Sequence, residues 1–287
     1  MKLALATAIA ALSLDEDLAP LQQACLAAGI DAQVLAWDDP TVSWSRFDAV
    51  LLRSTWDYMD RLPEFLAWCD RVATQSRLWN PPDVVRWNTD KRYLGDLAAR
   101  GLPVIESHFL APGDDPASLP DLDEFVVKPT VGAGSRDAQR YQRGEREAAI
   151  GHVRRLLDAG RHVLVQPYLH AVDEHGETAL LFFDGAFSHA IRKAPLLRRG
   201  EGPTRALFKA EHIQPREPSD AELALAASVL ASLPFDTLAY ARVDLLPSPT
   251  GPQLLELELT EPSVFLPYGD GSAARFARVL ARRLGAA

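Results

Sequence analysis

Three carboxylates near the C-terminal end are the residues best placed to do chemistry. Asp244 closes the strand-like run Tyr240-Ala241-Arg242-Val243, and Glu256 and Glu258 alternate with leucine in Leu254-Leu255-Glu256-Leu257-Glu258-Leu259. Residues two apart on a strand share a face, so the two glutamates project together, and Asp244 joins them if the two strands pair. Three such carboxylates repel one another unless a cation sits among them. Hard oxygen ligands suit Mg²⁺, which binds through a few carboxylates plus substrate phosphates. An amphipathic strand with two solvated glutamates gives the same pattern.

Lysine usage adds a second observation. Of the 30 basic residues only five are lysine (Lys2, Lys91, Lys128, Lys193 and Lys209). Lys128 ends the apolar run Phe125-Val126-Val127, where a compact ammonium can meet a phosphate as a point charge. The small-residue loop Val131-Gly132-Ala133-Gly134-Ser135-Arg136 follows at once. Its backbone N–H groups can approach an anion closely, with Ser135 and Arg136 as further donors; a plain surface turn after an edge strand also fits. Arg53, at a strand end and followed by Ser54-Thr55-Trp56-Asp57-Tyr58, together with Glu177, Arg192 and Lys193, is expected to converge on the same cleft. Arginine suits a bidentate grip on a substrate carboxylate. Surface salt bridges for the charged residues, and core packing for Trp56 and Tyr58, are the alternatives. No G-x-x-x-x-G-K-[ST], complete dinucleotide fingerprint, zinc-like His/Cys spacing or nucleophile elbow is present.

The elements that must position these groups fall into three stretches. Strands at Leu3–Thr7, Asp31–Trp37 and Ala49–Arg53 alternate with helices over 15–28 and 62–76, which predicts a parallel sheet flanked by helices with functional groups at its strand ends. After Asn80-Pro81-Pro82 the pattern predicts a helix over 89–100 and strands at Val104–Phe109, Phe125–Lys128 and His162–Gln166 around a helix over 145–159. Thr178–Phe183 and Ala186–Arg192, joined by Asp184-Gly185, read as a hairpin. Residues 195–218 read as a mobile loop, followed by a helix over 219–232, strands at Leu238–Leu245 and Gln253–Leu259, and a last helix over 271–284.

With 47% apolar and 24% charged residues the chain can bury a core, and a net charge of -9 argues against nucleic acid or an anionic membrane as partner. Cys25 and Cys69 read as buried thiols suited to a reducing cytoplasm. The N-terminal apolar run has the outline of a signal peptide but reads better as a buried first strand, and no stretch approaches a membrane span.

Asn88-Thr89-Asp90-Lys91, Val127-Lys128-Pro129 with its loop, Gln166-Pro167-Tyr168-Leu169, and Arg242-Val243-Asp244 followed by Glu256-Leu257-Glu258 occur in the order of an ATP-grasp protein. Over nearly its whole length the chain resembles the glutathione-synthetase-like branch of that superfamily. Arg53–Tyr58 and the runs Gly176–Ala179 and Phe182–Gly185 carry a closer likeness to the cyclo-ligases of D-cycloserine biosynthesis (O-ureido-D-serine cyclo-ligases). The resemblance implies an ATP-grasp fold, α/β and α+β, with an N-terminal α/β domain at 1–85, a connecting helix at 86–103, a small lid at 104–165 and a C-terminal domain at 166–287. It implies ATP held by Lys91, Lys128, the flap Gly132, Gly134, Ser135 and Arg136, and an adenine-reading hinge Gln166, Pro167, Tyr168 and Leu169. Arg242 resembles the arginine near the γ-phosphate, and Asp244, Glu256 and Glu258 match the ligands of one or two Mg²⁺ ions, with Glu258 where many members have Asn. The function implied is ATP-dependent ligation or cyclisation, through an acyl phosphate, of a small amino-acid-like carboxylate with a nucleophile, in the cytoplasm, with a homodimer left open. A kinase acting on a hydroxyl and a non-catalytic nucleotide-binding module are the rivals.

Overall fold

The computed structural model describes residues 1–197, 199, 200, 202, 212–235 and 238–285. The first apolar runs form β1 (Lys2–Thr7), β2 (Asp31–Ala36), β3 (Ala49–Leu52) and β4 (Arg77–Trp79), a parallel sheet in the order β2-β1-β3-β4. The helix α1 (Leu18–Ala27) buries Leu18, Leu21 and Cys25 but leaves Leu26 exposed, and α2 (Leu62–Ala73) buries Phe65, Trp68, Cys69 and Val72. The two-residue period of β1 divides the core. Ala4 and Ala6 face an aromatic cluster of Trp37, Phe65 and Trp68, while Leu3 and Leu5 join Phe276 and Leu280 from the far end of the chain. The N-terminal sheet is therefore welded to the C-terminal part by shared apolar burial.

The helix expected over 89–100 is instead two short ones, α3 (Pro82–Asn88) and α4 (Tyr93–Ala99). The Lys91 N–H donates to the carbonyl of Thr130 at 2.8 Å rather than back along a helix, which interrupts the ladder and turns Lys91 toward the lid.

The lid is an antiparallel sheet of β5 (His108–Leu110), β6 (Glu124–Pro129), β7 (Gln139–Gln142) and β8 (Val163–Pro167), ordered β5-β8-β6-β7 and backed by α5 (Arg146–Asp158). Val104, expected to begin a strand, makes only an isolated bridge to Leu254, and β7 was hidden by its polar sequence. A short helix, α6 (Ala171–His175), leads into the last unit.

That unit holds β9 (Glu177–Phe183), β10 (Ala186–Lys193), β11 (Ile213–Arg216), α7 (Asp220–Ala231), β12 (Tyr240–Ser248), β13 (Gly251–Glu258) and α8 (Ser272–Leu284), with sheet order β11-β10-β9-β12-β13. Asp184 and Gly185 have φ of 54° and 77°, as a two-residue hairpin turn requires. β11 lies inside the stretch expected to be loop; residues 198, 201 and 203–211 of that stretch, Lys209 among them, lie outside the described residues. Among the described residues no helix is long and apolar enough to cross a membrane, and both cysteines are buried free thiols.

Candidate active site

The strand β13 is an edge strand, and the way its free edge is covered builds the site. Asn88 donates through Nδ2 to the carbonyl of Leu257 at 2.8 Å and accepts from the N–H of Leu259 at 2.7 Å, while the Tyr93 hydroxyl accepts from the N–H of Leu257 at 2.9 Å. These side chains satisfy backbone groups that a neighbouring strand would otherwise pair. They also bring Lys91, three residues after Asn88, to 2.9 Å from Glu256 Oε1.

Glu256 and Glu258 share a face of β13, opposite Asp244 and Arg242 of β12 respectively. The register shifts after the Asp244–Glu256 pair, so Leu245 meets Leu254 and the extra residue, Leu255, bulges beside the cleft. Lys91, Lys128, Glu177, Lys193, Arg242, Glu256 and Glu258 line one cleft between the lid and the C-terminal sheet. The hinge residues Gln166, Pro167, Tyr168 and Leu169 form one wall, and Gly132, Gly134, Ser135 and Arg136 form its roof. Gly134 and Ser135 have φ of 60° and 58°. Arg136 reaches Asp60 of the N-terminal unit at 2.6 Å and Lys91 Nζ donates to the carbonyl of Gly132 at 2.8 Å, so the roof is pinned on two sides. Trp56 and Tyr58 close the cleft at its N-terminal end.

Two expected residues lie elsewhere. Arg53 is 0% exposed and does not line the cleft; it pairs with Asp17 at 3.4 Å and donates to the carbonyl of Pro262 at 2.9 Å. Arg192 and Lys193 are adjacent on β10 and so face opposite ways. Lys193 enters the cleft, whereas Arg192 turns to the carbonyls of His175 and Glu174.

The carboxylate triad is also modified. Asp244, 1% exposed, is gripped by Arg242 and by Lys193 at 2.9 Å and sits behind them. Among the described residues no three acid, thiol or imidazole groups are gathered as metal ligands. Of the three carboxylates, Glu256 and Glu258 face the cleft, paired with Lys91 and Arg242.

Electrostatics follow from crowding acids and bases in a dry place. Burial alone would raise the Asp244 carboxyl, but Arg242 and Lys193 together outweigh it and hold it well below the usual range. Burial likewise yields to Lys91 and Lys128 at Glu256, which is lowered. At Glu258 burial wins, with Glu256 and Asp244 adding repulsion against the pull of Arg242, and the carboxyl is pushed up to about 7. Burial also pushes Glu177 up to about 8 despite Lys193, and depresses Lys128, which Lys91 and Lys193 depress further. A hard divalent cation fits this donor set: it would offset the burial and repulsion that raise the Glu258 carboxyl.

Sequence reasoning missed Glu261, which lines the cleft and whose carboxyl is hydrogen-bonded to the Tyr58 hydroxyl. Burial, then the nearby Glu258, push it up to about 8. In Thr260-Glu261-Pro262 it follows the strand with no periodic signal, so nothing in the sequence separates it from a solvated loop acid. Ser263 and Phe265, the latter at φ 49°, extend the same wall.

Residues 3–80 match the family model described as the N-terminal domain of the D-cycloserine synthetase DcsG. The chain is 48% identical over 295 aligned positions to the cycloserine biosynthesis protein DcsG of Streptomyces lavendulae, covering 98% of both. The crystal structure of D-cycloserine synthetase DcsG superposes with a TM-score of 0.90 at 46% identity, covering 99% of this chain and 100% of that one. A D-alanine–D-alanine ligase from Bacillus anthracis, solved with ATP, shares the fold at a TM-score of 0.64 and 13% identity, over 99% of this chain and 97% of that one.

Proposed function

The chain belongs to the DcsG family of ATP-grasp ligases, and from that premise we propose that it uses ATP to activate a small amino-acid-like carboxylate as an acyl phosphate, which a nitrogen nucleophile then captures. The name of the relative, D-cycloserine synthetase, makes ring closure within one molecule the favoured form. The observation that carries the reading is the meeting of two lobes: Lys91 and Lys128 from the connector and lid face Glu256 and Glu258 of the C-terminal sheet across one cleft, with Arg242 paired to Glu258.

Lys91 pairs with Glu256 and Arg242 with Glu258. Arriving phosphates would draw Lys91 and Lys128 toward themselves, leaving Glu256 in need of a new cation. Glu256 and Glu258 would hold Mg²⁺, which screens charge on the nucleotide phosphates when bound. The backbone of Gly132–Arg136 would cover the phosphates, and the hinge at Gln166–Leu169 would take the adenine edge. Arg242 is placed to stabilise charge on the phosphoryl group in flight. A substrate carboxylate oxygen attacks the γ-phosphorus, the bond to the β-bridging oxygen breaks, and ADP leaves with the electron pair. The nitrogen then attacks the acyl carbon, loses its proton, and phosphate departs. Closure of the roof against Asp60 keeps water from the intermediate.

Hydroxylamine tests this directly, since an acyl phosphate yields a hydroxamate and ADP in equal amounts. Where a closed roof excludes the trap, ¹⁸O in the substrate carboxylate must appear as one labelled oxygen in the released phosphate. ADP release with unlabelled phosphate would reject carboxylate activation and favour transfer to a hydroxyl.

A further inference from the structure

Among the described residues four acids line the cleft, and three of them have a cation from the protein: Glu177 has Lys193, Glu256 has Lys91, and Glu258 has Arg242. The fourth, Glu261, has none within salt-bridge distance among the described residues. It is only 8% exposed; the Tyr58 hydroxyl hydrogen-bonds its carboxyl, and Lys91 acts on it only from beyond ion-pair distance. Burying a carboxylate without a close counter-charge is costly, so a ligand cation seated beside it would be favoured.

The backbone around it is held firmly. Trp56 Nε1 donates to the Glu261 carbonyl at 3.0 Å, Arg53 to the Pro262 carbonyl at 2.9 Å, and Arg242 to the Ser263 carbonyl at 3.1 Å. The side chain is thus presented at a fixed point. Trp56, Tyr58 and Phe265 line the cleft with it, and Glu258 lies nearby. An aromatic wall beside closely placed acids suits an organic cation, which gains from the ring faces as well as from the carboxylate.

We propose that the Glu261 carboxylate, within the wall of Trp56, Tyr58 and Phe265, receives the ammonium group of the substrate and of the product derived from it. The assignment rests on the ligase reading above, and makes an α-amino group the feature that selects the substrate. It also fixes orientation, because an amine anchored at Glu261 leaves the adjoining carboxylate to face Arg242.

The test uses the full chain saturated with Mg-ADP and two probes, D-cycloserine and its des-amino analogue 1,2-oxazolidin-3-one, with affinities measured by calorimetry. Wild type is expected to prefer D-cycloserine by at least about tenfold, the worth of one partly desolvated charge pair. E261Q should erase that preference, and Y58F, which keeps the acid but removes its hydrogen bond, should weaken it. Equal affinities in wild type, or a preference that survives both variants, would overturn the amine site while leaving the ring-forming reading intact. A variant E261Q that instead needs far more Mg²⁺ and keeps the preference would make Glu261 a metal ligand and likewise overturn the proposal. If neither probe binds a protein that holds ADP, the ring-forming reading fails and the amine site fails with it.

Discussion

Lys91 Nζ lies 2.9 Å from Glu256 Oε1 and 2.8 Å from the carbonyl of Gly132, so one ammonium joins the carboxylate-bearing sheet to the roof of the cleft. Burial alone would lower its pKa, but Glu256 more than compensates and raises it, so the lysine stays charged. It is poised to exchange a carboxylate for a phosphate without leaving the site.

That exchange depends on Lys128 and Glu256 as the groups facing each other across the lobes. Lys128→Ala and Glu256→Gln should each remain folded by circular dichroism. Each should lower ATP turnover on the order of a hundredfold, the usual cost of losing one well-aimed donor or charge. Turnover at the wild-type rate in either variant would remove these residues from the site.

A second relationship joins the lid to the segment after β10. The Glu124 carboxylate accepts two hydrogen bonds from Arg199, at 2.9 and 2.8 Å, and one from Arg140 at 2.5 Å. The Arg199 hydrogen bonds first, with Arg140 helping, overcome burial and hold the Glu124 carboxyl at about 2. Glu124→Gln should therefore loosen residues 194–197, 199 and 200, seen as faster amide hydrogen exchange, and raise the KM for ATP more than it changes kcat. Unchanged exchange in that segment would show that the pair does not strap it to the lid.

Much of this was legible from residue types. The alternation of Leu and Glu in β13 fixed the face of Glu256 and Glu258, and Lys128 at a strand end before small residues marked the roof. What could not be read was side-chain direction set by distant partners. Arg53 sits at the carboxyl end of a parallel strand, where a ligand group was expected, yet Asp17 and the carbonyl of Pro262 draw it inward, and those partners are remote in sequence. Asn88, Thr89, Asp90 and Lys91 read as the start of a helix, but the edge of β13 competes for Asn88 and Thr130 for the Lys91 N–H. Tertiary hydrogen bonds overrode local propensity at both places.

The role of Asp17 follows from the same geometry. Its carboxylate accepts the N–H groups of Val264, Phe265 and Leu266 at 2.7, 3.2 and 2.6 Å, and so shapes the segment that presents Glu261 and Phe265. Asp17→Ala would strand three buried donors and the Arg53 guanidinium, and should cost roughly 3–5 kcal/mol in urea unfolding. A loss below about 1 kcal/mol, within the range of ordinary surface substitutions, would mean that the segment holds its shape without Asp17.

His189 supports that segment from the other side, and it sets a pH dependence. A ring nitrogen, Nε2, lies 2.9 Å from the carbonyl of Val264 and donates to it, and a Cβ on Gly269 would come within 2.5 Å of the ring, so the imidazole is clamped. Burial is the main cause that lowers its pKa to about 4, with Arg275 adding repulsion against the carbonyls of Val264 and Phe265; burial and Arg155 likewise bring His152 in the lid to about 4. Both groups are neutral in the folded chain below the pH at which they charge in the unfolded one, near 6.5. Between those values the unfolded state binds more protons, so stability is complete above pH 6.5 and is lost as pH falls toward 4. Each histidine contributes on the order of 3 kcal/mol across that window. His189→Gln, whose amide can still donate to Val264, should lose about 2 kcal/mol less stability than wild type between pH 7 and pH 4.5 in urea unfolding. The same slope in His189→Gln as in wild type would show that His189 charges as readily folded as unfolded, and would leave the acid sensitivity to His152 and the carboxylates.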